Sequence, residues 1–426
     1  MSEFTPLQFV NLAWAVAKLG CVDRPLWTAI ASQSRASFPQ FVGDHVANIA
    51  WAFASLKLGD SPFLAAISAA ALAKISSIRS LGLATTAWSL AQWRKRDEPL
   101  LSAIAAASIR TIQSFAPQNL CNMARAFANL HFADQPCLEA IAAASIKLLS
   151  PDLNLFSPQN ISNTAWAFAK LQRPHQSRPL FHAIAAAAIP NISDFTQEDL
   201  TLTARAFAGI YFRHVPCLDA LASKAQRLQD FEPSLLSNFA WSIAIIRYVN
   251  VPLMEALSSQ SLSKIPAYDQ RSLSMTAWAV ASCIYIDGPL MTALAAQAIN
   301  TIGDFNTQSL VNLSWSCAKL TYAHQPLLQA IAASSLHTIT EYQPRGLAML
   351  AWSLATIFCF DDPLFESIAS ASLKNLSASS PQEMSNLAWA YALMESQHPP
   401  LISAISEEVL QRRDCEYRDL AQIAWA

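Results

Sequence analysis

Glycine is scarce in this chain: 8 among 426 residues, where ordinary chains carry about 7%. No two glycines lie closer than Gly288 and Gly303, 15 residues apart. Neither a dinucleotide fingerprint nor a P-loop can be written with that spacing, and turn-rich β architecture is disfavoured. Charge is thin too. Charged residues make up 14%, with 28 Lys+Arg against 30 Asp+Glu and a formal net charge of −2. There is no bulk basic signal for nucleic acid, so any such reading must rest on local pattern. Although 53% of the residues are hydrophobic, no stretch of about 18 apolar residues runs without a proline, a charge or a polar cluster, which argues against membrane spans. The eight cysteines come no closer than Cys121 and Cys137, 16 apart, so CxxC and zinc-ribbon spacings are missing. Several, such as Cys283 and Cys317, stand where sister segments carry Leu or Ala, and they read as small buried hydrophobes in a reducing compartment. There is no HExxH and no GxSxG. His131, His175, His214, His324 and His398 precede prolines in short polar stretches and read as turn residues. No acid/base pair is brought together by spacing. Catalytic residues, metal ligands, cofactors and a small-molecule substrate are therefore not assigned, and the chain reads as a non-enzyme.

What the chain has is a repeat. A segment centred on AWA occurs twelve times, its central residue falling at Trp14, Trp51, Trp88, Arg125, Trp166, Arg205, Trp241, Trp278, Trp315, Trp352, Trp389 and Trp425. Most steps are 36 or 37 residues; one step of 41 follows extra residues near 149–154, and one of 39 carries the insertion Gln172-Arg173-Pro174-His175. A proline follows the central residue by eleven positions, from Pro25 to Pro400, with Pro179 displaced by the insertion. This spacing implies an all-α chain, a right-handed α-solenoid of about twelve helix-turn-helix units of ~37 residues. It forms a single continuous array over 1–426, with eleven full repeats and the first helix of a twelfth. The array is expected to be cut at its ends, with no targeting segment visible.

Each copy reads as two helices. The first is preceded by an aromatic ten positions before the centre (Phe4, Phe41, Phe115, Phe156, Phe195, Phe231, Tyr268, Phe305 and Tyr342) and often by a capping residue: Thr5, Ser157, Thr196, Asp269, Asn306 or Ser380. An aromatic at N′ and an apolar residue at N4 form a hydrophobic staple, and Ser380-x-x-Glu383 is a capping box. Asp23, Asp60, Asp97, Asp134, Asp287 and Asp361, two before the prolines, are positioned to cap the second helix. Alanine stands three after the centre in all eleven copies that reach it, and just before the centre in eleven of twelve. Four apart, these form a small-residue seam. Five after each proline stands Ile or Leu, a packing position.

At 100° per residue, positions −5, −2, +2 and +5 relative to the centre form the apolar stripe, while −7, −3, 0 and +4 cluster on the opposite side. Position −3 is Asn seven times, and −7 is usually polar. The tryptophan thus shares the polar face with the asparagine. Two copies replace it with Arg, which a deep core would not accept unpaired; at a rim or groove both residues are planar and can stack on a base or on a neighbouring side chain. A purely architectural role, the indole wedged between adjacent first helices and the Asn laddering to backbone, fits the same pattern. On these four positions eight cations face two anions, Asp44 and Glu198; including position −6 adds Asp199, Glu383 and Asp419. The face is more basic than the molecule, but too modestly for tight binding by phosphate neutralisation alone.

The pattern NxAWAxAxL followed by PLxxAIA, with Asn163–Leu171 and Asn386–Leu393 as its best copies, resembles the organellar octotricopeptide and heptatricopeptide repeat group. It is similar also to the repeat domain of the RNA-editing substrate-binding complex subunit six type. The resemblance covers the entire chain. It implies a mitochondrial-matrix or chloroplast-stroma protein that binds single-stranded RNA and acts in RNA processing, stability or translation within a ribonucleoprotein complex. The RAP domain that often ends such proteins is absent from these residues, which removes support for a nuclease role.

The residues expected to contact RNA are Asn11, Trp14, Asn48, Trp51, Asn122, Arg125, Asn163, Trp166, Lys170, Arg205, Asn238, Trp241, Arg271, Trp278, Asn312, Trp315, Lys319, Arg345, Trp352, Asn386 and Trp389. Trp or Arg would stack on bases while Asn or Gln reads their edges. The alternative is an armadillo-like scaffold holding an extended peptide in the same groove, since Asn also pairs with peptide backbone.

Overall fold

The computed structural model of the chain describes residues 5–171, 174–228, 230–393, 398–412 and 415–425, with only the backbone described at 174–176. Phe4, Gln172, Arg173 and Ala426 lie outside the described residues, as do the side chains of Pro174 and His175. Among the described residues there are α-helices and short 3₁₀ turns and no strands. The expected all-α helical-repeat fold is what the structure has, and the chain divides into two compact units, Met1–Leu221 and Ala222–Ala426.

In the first unit the first helices of successive copies are Pro6–Lys18, Gly43–Ser55, Ser80–Gln92, Pro117–Asn129, Pro158–Lys170 and Gln197–Gly209. In the second they are Pro233–Ile245, Gln270–Ser282, Thr307–Lys319, Pro344–Thr356, Pro381–Leu393 and Tyr417–Trp425. Within each unit every first helix packs on the next first helix, and the second helices pack on one another in a parallel layer. Contacts thus run between neighbours, because a lone hairpin has nowhere else to bury its apolar side.

The caps fall where the sequence places them. Thr5, Ser157, Thr196, Asp269 and Asn306 each accept a hydrogen bond from the N3 backbone of their helix. The Ser380 box closes as well, with Ser380 N–H donating to Glu383 Oε2 at 2.8 Å and Glu383 N–H to Ser380 Oγ at 3.3 Å. All six aspartates ahead of the prolines cap the second helix. Three of the histidines read as turn residues cap it too, the Nδ1 atoms of His214, His324 and His398 accepting from Cys217, Leu327 and Leu401 N–H at 3.2–3.3 Å. The insertion lengthens the second helix of its copy, which starts at Pro174 and carries Pro179 inside it.

The core is the stripe on the first helix (for example Val46, Phe53, Leu120, Phe127 and Leu310) together with the Ile or Leu five after each proline, all of them buried from Ile30 to Ile405. Five of the cysteines, Cys121, Cys137, Cys217, Cys317 and Cys359, are buried; Cys283 is half-buried and Cys21 exposed. Burial pushes the Cys121 thiol up to about 11 and those of Cys137, Cys217 and Cys317 up to about 12.

The ends of the first helices have no counterpart in the sequence pattern. Six residues after the central position the backbone turns left-handed in every described copy, at Gly20 and at Lys57, Arg94, His131, Tyr211, Arg247, Ile284, Thr321 and Phe358, with φ between 50° and 66°. The N–H of that residue donates to the carbonyl of the +3 alanine, and the next N–H reaches back five residues at 2.8–3.2 Å. This is the Schellman closure, built here almost without glycine. It stops each first helix at the same point and so fixes the length of its polar face.

Candidate functional site

The central tryptophans are neither core nor free. Trp14 is 46% and Trp425 65% exposed, and Trp51, Trp88, Trp166, Trp241, Trp278, Trp315, Trp352 and Trp389 are half-buried. Neighbouring first helices bring the rings into a ladder. Ring centroids are 6.0 Å apart for Trp14–Trp51, 6.2 Å for Trp241–Trp278, 5.8 Å for Trp278–Trp315 and 6.2 Å for Trp352–Trp389, with interplanar angles of 27–39°. Where Arg125 replaces Trp, its guanidinium carbon lies 5.9 Å from the Trp166 ring, so the cation makes a cation–π contact with the next indole. Arg205 at the next substituted position is exposed.

Cations from position +4 lean over the same rings. Lys18 Nζ sits 5.5 Å from Trp14 and 5.3 Å from Trp51. Lys170 Nζ sits 4.8 Å from Trp166 and donates to Asn129 Oδ1, the +4 residue of the preceding copy, at 3.1 Å. Desolvation holds the Lys170 ammonium below its ordinary pKa. Lys319 is exposed.

The asparagines divide into three situations. Asn122 and Asn312 accept, through Oδ1, the side-chain amides of Gln118 and Gln308 one turn earlier, at 3.0 and 2.9 Å. This leaves each Asn amide nitrogen directed elsewhere and locks positions −7 and −3 together. Asn238 Nδ2 donates to the Ser234 carbonyl of its own helix at 2.6 Å. Asn11 and Asn48 are exposed and Asn386 is half-buried, whereas Asn163 is only 6% exposed, so it lies further into the helix layer than its place on the polar face suggests. Of the architectural alternative, Asn bonded to backbone, the structure shows the single intrahelical bond at Asn238; at Asn122 and Asn312 the partner is a glutamine.

Anions on this face are largely engaged. Asp44 accepts from the guanidinium and backbone N–H of Arg79 in the next copy. Asp199 completes the Thr196 capping box and accepts from Ser162 Oγ of the preceding copy at 2.7 Å. Arg271, exposed, places Nε 3.5 Å from Met275 Sδ. In the second unit positions −7, −3 and 0 of four successive first helices converge on one open cavity of about 690 Å³, lined among others by Trp315, Arg345, Met349, Trp352, Gln382, Asn386, Arg418 and Gln422. Met349 and Gln422 occupy the asparagine position; the sequence pattern does not point to them, because neither matches the Asn signature.

Trp27 and Trp93 are not part of the ladder. Their indole N–H groups donate to the Cys21 and Leu58 carbonyls at 2.7 and 2.8 Å, pinning the turns between helices. Among the described residues no group of three His, Cys, Asp or Glu is placed to hold a metal ion, and no helix is long and apolar enough to cross a membrane.

The profile of a family described as RNA-editing substrate-binding complex 6 protein matches residues 40–176, 149–288 and 249–361, three staggered stretches that together span about three quarters of the chain. No curated protein matches. Solved structures that match include a homology model of the full-length AP-3 complex in an intermediate open conformation, at 11% identity over 100% of this chain and 89% of that one, with a TM-score of 0.31. Another is a circular tandem repeat protein with novel repeat topology and enhanced subunit contact surfaces, at 13% identity over 99% and 96% and a TM-score of 0.19. At such TM-scores neither bears on fold or function. By the profile match, the chain belongs to the RNA-editing substrate-binding complex 6 family.

Proposed function

We propose that this member of the family binds single-stranded RNA along the polar face of its first helices, as a non-catalytic subunit of an organellar RNA-editing assembly, with the mitochondrial matrix as its compartment. The observation that carries the reading is the ladder itself: paired indoles 5.8–6.2 Å apart on neighbouring first helices, with Arg125 against Trp166, on a half-open face bordered by amides and cations. Such a face suits single strands, whose splayed bases offer both a ring to stack and an edge to hydrogen-bond. The amide pairs Gln118–Asn122 and Gln308–Asn312 present oriented donors of the kind that read base edges. Lysines at +4 reach the strand's phosphates, which position it without specifying sequence. Protein partners from the same assembly are part of the proposal, in keeping with the family's description as part of an RNA-editing complex.

Because the net charge is −2, stacking and amide contacts must supply much of the affinity, and the salt dependence is expected to be shallow. The test is fluorescence anisotropy of a random single-stranded RNA pool across salt concentrations, with duplex RNA as competitor. Binding that prefers single strands and weakens in Trp166→Ala and Arg125→Ala supports the reading. No binding at low salt sinks it, and capture of extended peptides by the same face in that case points to the armadillo-like alternative.

A further inference from the structure

The ladder is not continuous. In the second unit the rings on either side are closed, Trp278 on Trp315 at 5.8 Å and Trp352 on Trp389 at 6.2 Å. Yet Trp315 and Trp352, on the adjacent and mutually packed helices Thr307–Lys319 and Pro344–Thr356, make no ring contact. Both line the cavity of about 690 Å³, a size typical of sites that hold small ligands, about 300–1,000 Å³. We propose that this break is a stacking slot for one base of a single-stranded RNA, closed by Trp315 and Trp352.

Three observations meet here. The first is room. Stacked bases rise about 3.4 Å, so a ring inserted between two indoles needs about 6.8 Å from indole to indole. The closed pairs, at 5.8–6.2 Å, do not admit one, and the break is where a base enters without prying the ladder apart. The second is that each bordering indole is covered by a neighbour on one side only, which leaves one side for a ligand. The third is the polar lining. Arg345 is exposed and, among the described residues, has no hydrogen-bond or ion-pair partner; the amides of Gln382 and Asn386 likewise make no hydrogen bond among them. Of the two carboxylates of the lining, Glu383 is committed to the Ser380 capping box, while Asp419, 5% exposed, has its Oδ1 3.9 Å from Arg418 Nε and, among the described residues, without a hydrogen-bond partner, so its charge is offset there by Arg418 alone. The slot therefore combines two indole walls, an unpaired guanidinium within reach of a phosphate, and two free amides for a base edge.

Another break, between Trp51 and Trp88 in the first unit, differs in the last respect. There the nearby arginine, Arg79, is spent on Asp44.

This inference rests on the RNA-binding reading, and its test separates the two. The full chain and its variants are titrated against a single-stranded RNA pool carrying 5-iodouridine, first by anisotropy and then by photocrosslinking with peptide mapping. Trp352→Ala is expected to weaken Kd by roughly 5- to 100-fold, the loss of one base–aromatic stack. Trp352→Phe, which keeps an aromatic wall and the helix, recovers most of that loss. Trp278→Ala, covered on both sides by its neighbours, loses at least threefold less than Trp352→Ala. Crosslinks are expected on Trp315 or Trp352. If the wild-type chain binds RNA but Trp278→Ala loses as much as Trp352→Ala, or if crosslinks map only to other copies, the slot is refuted and the wider face stands. Absence of RNA binding by the wild-type chain overturns both.

Discussion

Replacing Ile284 with glycine is expected to stabilise the protein, although it deletes an entire side chain. Ile284 sits at φ 52°, where an L-residue pays about 1–2 kcal/mol and a β-branched residue is a genuine outlier. Its side chain is 63% exposed, so little burial is forfeited. Against the relief stands the extra chain entropy of glycine in the unfolded state, about 0.5–1 kcal/mol. The balance for Ile284→Gly is a gain of about 0.5–1 kcal/mol. The closing hydrogen bonds, Ile284 N–H to Ala281 at 3.1 Å and Tyr285 N–H to Val280 at 3.0 Å, remain in place. Because opening in a repeat array is local, the readout is amide exchange at Tyr285, expected to slow about two- to fivefold at a tenfold change per 1.4 kcal/mol. The reciprocal change, Gly20→Ala, meets no atom within 4 Å, so its cost, about 1 kcal/mol, is conformational alone. Faster exchange in Ile284→Gly, or no loss in Gly20→Ala, would refute the argument that these turns are held left-handed against the preference of their residues.

Four further outcomes follow from the packing. Cys137, Cys217 and Cys317, pushed up to about 12 by burial, stay thiols at pH 8, so iodoacetamide should label exposed Cys21 and leave these three intact in the folded chain, as mass spectrometry would reveal. Since the unfolded thiol ionises near 8.5, these groups contribute stability in full below that pH and lose it as pH climbs toward about 12; thermal melts that rise with alkalinity would contradict this. Thr203 is fully buried with its hydroxyl unpartnered, so Thr203→Val, nearly the same shape, is expected to gain about 1 kcal/mol in urea unfolding, and a loss would show that the hydroxyl is satisfied. Asp287 caps Leu290 N–H at 2.9 Å and accepts from Ser258 Oγ; Asp287→Ala should cost about 1–2 kcal/mol and Asp287→Asn clearly less, with equal losses counting against the capping role.

Much of this architecture is legible in residues whose role is local. A capping aspartate bonds to its own helix three residues on, and an apolar stripe at 100° per residue declares its buried side; Asp97 and Leu120 could be assigned on those grounds alone. The left-handed turns could not, because Lys57, Arg94, Tyr211, Ile284 and Phe358 share no chemistry. Their conformation is imposed by the hairpin that must close behind them. The same divide runs through the candidate site. That Trp lies on the polar face follows from periodicity, and that Arg125 stands in for it follows from planarity. Which rings touch depends on the distance between neighbouring helices, so the closed pairs and the break at Trp315–Trp352 emerge only from packing. Asn163 makes the same point, belonging by angle to the open face and by depth to the helix layer.

The indole ladder also has an optical consequence. Rings 5.8–6.2 Å apart pass excitation to one another before they emit, so light absorbed at Trp241 leaves the run through whichever of its three indoles holds the lowest-energy state. Emission from such a run is depolarised from within, and an aromatic ligand stacking on Trp315 would drain the whole of it, dimming three fluorophores by touching one. The protein thus carries, without any label, an antenna whose brightness reports on what lies against its face.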